Sequence, residues 1–76
     1  MDKIDKTWMH YFNITKNGQA VESSIFVSAD NPSDPRMDVF VGKERLYKRV
    51  PISDMMLNNG ILESHARKLI SEYGQF

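Results

Sequence analysis

Asn17-Gly18 stands between two ten-residue runs, "TWMHYFNITK" and "QAVESSIFVS", both rich in β-branched and aromatic side chains. A type I′ turn needs φ > 0 at both central positions, which Asn-Gly adopts at little cost, and its twist matches that of paired strands. The dipeptide therefore predicts a tight β-hairpin with strands over about 7–15 and 19–28. In the second strand Val21, Ile25 and Val27 alternate with Glu22, Ser24 and Ser28, as expected of one buried and one wet face, and Phe26 breaks the pattern. The first strand offers no such choice. Trp8, His10, Phe12 and Ile14 alternate with Thr7, Met9, Tyr11 and Asn13, so both faces carry large side chains. A slip of one residue exchanges the two sets, and which of them points outward stays open at this level.

Further along, "DNPSDPRMD" concentrates turn formers and two prolines, each of which pushes its preceding residue out of the helical region, so a loop is expected over 30–38. "MDVFVGKERLYKRVPI" reads as a second hairpin, with strands over 37–41 and 46–50 and a turn at Gly42-Lys43-Glu44. A helix over 34–48 capped by Ser33 competes with it, opposed by Gly42 in mid-element and by Val39-Phe40-Val41. Ser53 is expected to cap a short turn through Asp54, Met55, Met56 and Leu57, closed by Asn58-Asn59-Gly60. The period then changes. Ile61, Leu62, Ala66, Leu69, Ile70 and Tyr73 fall on one helical stripe, opposite Glu63, Arg67, Lys68, Ser71 and Glu72, with Glu63 and Arg67 in the favourable i, i+4 order and Gly74 as the stop. The sum is a single small α+β domain over 1–76: an antiparallel sheet of about four strands, in two hairpins, packed on a C-terminal helix, ββββα. Such a helix covers one face of the sheet and leaves the other.

Composition removes several classes of function. Without cysteine there are no disulfides, thiolate metal sites or cysteine nucleophiles, and a reducing, cytoplasmic setting is expected for a chain that also lacks an apolar run of membrane-spanning length. Ten basic and ten acidic residues cancel, so no long-range field draws the chain to nucleic acid. His10 and His65 are the only histidines, no HExxH, GxSxG or Walker pattern occurs, and Asp30, Asp34 and Asp38 lack the spacing of a calcium loop. They read as turn formers. No catalytic residue, metal site or cofactor is expected, and the chain is read as no enzyme.

What is left is binding. In a regular strand Arg45, Tyr47 and Arg49 share a face, which would set a ring between two guanidinium groups. The expectation is a non-enzymatic module that binds another protein through the sheet face opposite the helix, using Trp8 or Tyr11 together with Arg45, Tyr47 and Arg49, since Tyr, Trp and Arg are the types that anchor interfaces. Two alternatives stand beside it. Lys43, Arg45, Tyr47, Lys48 and Arg49 could bind a nucleic acid by stacking and phosphate contact, and the aromatic face could instead be a homodimer seam. An entirely structural reading has the second face covered by the 30–38 loop and the chain ends, with Lys43 to Arg49 as an edge protected by charge. In size, in lacking cysteine and in lacking a catalytic set, the chain is similar in kind to small accessory proteins of bacteriophages and mobile elements, a resemblance that implies a host protein as the partner to be modulated or inhibited.

Overall fold

The computed structural model describes residues 7–28, 33–53 and 57–73. Its elements are β1 (Thr7–Lys16), β2 (Gln19–Ser28), β3 (Arg36–Val41), β4 (Glu44–Pro51) and α1 (Asn59–Tyr73). The strands form one antiparallel sheet in the order β1-β2-β3-β4, the ββββα arrangement expected of the sequence, and the helix over 34–48 does not form. Local chemistry accounts for the turns. Asn17 and Gly18 have φ of 52° and 80°, the left-handed pair a type I′ turn requires, and they close the β1–β2 ladder on Lys16 and Gln19.

That closing pair sets the register of β1, and with it the face of every residue. Trp8 lies opposite Val27, His10 opposite Ile25 and Phe12 opposite Ser23, while β3 continues the rows with Met37, Val39 and Val41. The helix packs on this side. Phe12, Ile14, Ile25, Val27, Met37, Val39, Val41 and Ile52 form one core with Leu62, Ala66 and Ile70 of α1. Burial of such side chains stabilises by roughly 1.5–3 kcal/mol each before conformational entropy is counted against it.

Strand β4 departs from regular geometry twice. Phe40 is opposite Arg45, Val39 opposite Tyr47 and Met37 opposite Val50, so one residue is left over on β4 at each step. At the second, Arg49 takes a left-handed φ of 55° and its N–H donates to Asp38 Oδ1 at 2.8 Å. The carboxylate thereby occupies the donor that the bulge takes out of the ladder.

Helix α1 starts differently from expectation. Asn58 Oδ1 accepts from the N–H groups of Gly60 at 2.8 Å and Ile61 at 3.2 Å, so Asn58-Asn59-Gly60 opens the helix. Residues 54–56 of the turn expected after Ser53, residues 29–32 of the loop and the stop at Gly74 lie outside the described residues. The apolar stripe is narrower than predicted, because Ile61 is 47% exposed. Three polar contacts seat the helix across the sheet: Trp8 Nε1 donates to Asn59 Oδ1 at 2.9 Å, His10 Nε2 meets Glu63 Oε1 at 2.8 Å, and Tyr47 Oη donates to the Leu69 carbonyl at 2.8 Å. The first two reach β1 and the third β4, so the helix axis lies between the sheet edges.

Candidate functional site: the open face of the sheet

The residues that alternate with the core set point to the side away from α1. Across the strands they form rows: Met9, Phe26 and Asp38 in one, and Tyr11, Ser24, Phe40 and Arg45 in the next. Tyr11 is 58% and Met9 44% exposed, and Phe26 and Phe40 are half-buried. Ser24 is small and sits between two rings, which shield it. The hydroxyl of Tyr11 donates to Met9 Sδ at 3.6 Å, holding the two outermost side chains together. The only described element outside the sheet, α1, packs on the opposite face, so this surface of two phenylalanines, a tyrosine and a methionine is open among the described residues.

Charges border it in pairs. Arg45 Nη1 meets Asp38 Oδ2 at 3.2 Å, and Arg36 holds Asp34 through two N–H donors at 2.9 and 3.1 Å while Nη1 donates to the Arg49 carbonyl. An apolar centre with a polar, charge-compensated rim is the anatomy of a protein interface.

The sequence-predicted residues divide between the faces. Tyr11 and Arg45 lie on the open face. Trp8 is on the helix side, half-buried, its indole N–H satisfied by Asn59, which resolves the choice between the two first-strand sets. Tyr47 is also on the helix side, its hydroxyl bound to Leu69 and its ring edge-on to Tyr73 at 6.0 Å. The expected triplet with Arg45, Tyr47 and Arg49 on one face therefore does not form. The reason is the leftover residue, Leu46, between Arg45 and Tyr47, which turns the ring to the other side of the strand. Lys43 in the turn before β4 and Arg45, Lys48 and Arg49 on that strand are exposed without that ring between them.

Met9, Phe26 and Phe40 were not singled out by sequence reasoning, yet signals for them existed. Phe26 was the break in β2 alternation, and the Asn17-Gly18 closing pair places Tyr11 and Met9 on the same face as Phe26 by counting back from Lys16 and Gln19.

A second cluster lies where β1 meets α1. Glu63 accepts from His10 through Oε1 and from Arg67 through Oε2, with Arg67 Nε at 2.9 Å, and the Arg67 guanidinium stands 5.1 Å from the Phe12 ring centroid. The His10 hydrogen bond first, and then Arg67, hold the Glu63 carboxyl below its ordinary value. The arrangement docks the helix on the edge strand. Among the described residues no group of three His, Cys, Asp or Glu side chains is placed to hold a metal ion, and no helix is long and apolar enough to cross a membrane.

Together these features define a small α+β domain, a four-stranded meander with one face under a helix and one face open. No family model, curated protein or solved structure matches the chain.

Proposed function

We propose that the domain is a non-enzymatic binding module of the cytoplasm that acts by covering a surface of another protein, modulating or inhibiting it in the manner of a phage or mobile-element accessory protein. The observation that carries the reading is the cluster of exposed Tyr11 and Met9 with half-buried Phe26 and Phe40, covered by no element among the described residues, beside the Arg45–Asp38 pair. A flat apolar face suits another macromolecule better than a small substrate, which needs a concave pocket to bury most of its surface. Anchors of this composition concentrate binding energy in a few residues, with a charged rim that sets orientation.

The test is capture of partners by the tagged chain from lysate of its own cell, with and without nuclease, alongside the variants Phe40→Ala and Tyr11→Ala. The expected result is one protein recovered in both conditions by wild type and reduced at least ~10-fold by each variant, the effect of removing an interface anchor worth ~2 kcal/mol. A partner retained by both variants, or recovery that collapses after nuclease, defeats the proposal; the latter moves the site to the cationic β4 edge.

A further inference from the structure

The two edges of the sheet are built differently. Strand β4 carries two bulges, a left-handed Arg49 and the exposed cations Arg45 and Lys48, all devices that discourage another strand from adding to an edge. Strand β1 has none of them. It pairs without a bulge along its whole length, holds neither proline nor glycine, and has no Asp, Glu, Lys or Arg before Lys16. Among the described residues no strand pairs with its outer side.

The hairpin identifies which backbone groups face outward. In a two-residue turn the closing residues exchange both hydrogen bonds, so Lys16, Ile14, Phe12, His10 and Trp8 direct their N–H and C=O groups toward β2. The bond from Gly42 N–H to the Glu22 carbonyl at 2.8 Å agrees, since it shows the even positions of β2 turned to β3 and the odd ones to β1. Met9, Tyr11 and Asn13 therefore present their backbone groups at the free edge.

From this edge we infer that β1 pairs antiparallel with β1 of a second copy of the chain, about a twofold axis at Tyr11, joining two sheets into one. Charge distinguishes the central registers. Outward groups meet outward groups whenever the axis passes through a residue of β1 instead of between two, and His10, Tyr11 and Phe12 are the central choices. Glu63 sits on His10, and Arg67 sits over Phe12. An axis at His10 would bring the two Glu63 carboxylates together, and one at Phe12 the two Arg67 guanidinium groups. An axis at Tyr11 sets His10 opposite Phe12 of the second copy, so Glu63 faces Arg67 of that copy, twice by symmetry. The same register places Met9 opposite Asn13 and Tyr11 beside its own equivalent.

The helices leave room for this. Contacts to both β1 and β4 keep the α1 axis inboard of an edge on a sheet ~14 Å wide, so two axes related by the dyad stand further apart than the ~4.8 Å between adjacent strands. The inference uses the backbone edge of β1, with its dyad at Tyr11, whereas the partner-binding reading uses side chains of the sheet face.

The experiment measures association of the full chain by sedimentation over a range of concentrations, with residue-resolved amide exchange. The expected result is a dimer in which the amides of Met9, Tyr11 and Asn13 are protected and become fast on dilution, while those of His10, Phe12 and Ile14 stay protected. Asn13→Pro removes an outward N–H without touching the ladder to β2 and is expected to raise the dimer dissociation constant at least ~10-fold, whereas Phe40→Ala leaves it unchanged. Should the proline variant not fold, single cysteines read the register in a chain that has none: Tyr11→Cys should cross-link to itself under oxidation, and Asn13→Cys should not, its equivalents being ~13 Å apart. A chain that stays monomeric throughout, a dimer whose Met9, Tyr11 and Asn13 amides exchange as fast as in the monomer, or equal cross-linking of both cysteine variants would overturn the inference.

Discussion

Replacing Ser23 by alanine should make this domain more stable. Ser23 lies on the helix side of β2, between Phe12 on one neighbour and Val41 on the other, and is 1% exposed. Its hydroxyl is buried with no hydrogen-bond partner among the described residues. A hydroxyl buried in that way costs roughly 1–3 kcal/mol, and alanine removes the oxygen while keeping Cβ in place. Against the gain stand the lost contacts of one atom and a slight difference in strand preference, each a few tenths of a kcal/mol. The net expectation is stabilisation by about 1 kcal/mol, which for a domain of this size raises the thermal midpoint by ~4–8 °C. Urea unfolding at fixed protein concentration is the assay, with Ser24→Ala as the control: that neighbour faces the open side, and its replacement should stay within ~0.5 kcal/mol of wild type. A Ser23→Ala variant equal to or less stable than wild type would refute the reasoning, since it would mean that the hydroxyl is satisfied in solution.

Two further outcomes follow from the helix and its docking. Asn58→Ala removes the acceptor for the Gly60 and Ile61 N–H groups and should cost about 1 kcal/mol in urea unfolding, with Asn58→Asp retaining most of the wild-type stability. Glu63 has a folded-state pKa below its unfolded one, so the unfolded chain binds more protons at intermediate pH and the stabilisation is complete above the unfolded value. It is lost as pH falls through the folded value; Glu63→Gln should therefore be less stable than wild type near neutral pH, by under ~1 kcal/mol for a partly exposed pair, and the difference should close in acid.

Much of the architecture was legible because its causes are local. Asn17-Gly18 favours a turn of one hand, alternation with period two marks β2, and the stripe through Leu62, Ala66 and Ile70 has the helical period. Even the outward face of β1 was within reach, because the closing pair of a two-residue hairpin transfers the readable alternation of β2 onto the ambiguous strand. Ile61 was misplaced on the buried stripe because periodicity reports a face without reporting how far the sheet extends beneath it.

By itself the sequence determined the elements, their order and a sheet with one face that the helix does not cover, since backbone preference and side-chain period act between near neighbours. Tertiary structure alone decided what occupies that face. The bulge at Leu46 sends Tyr47 to the helix while leaving Arg45 outside, and at the second bulge Asp38 meets the Arg49 N–H across the sheet. His10 and Glu63, 53 residues apart, meet only because α1 is laid across β1, and no local pattern encodes a contact made by packing.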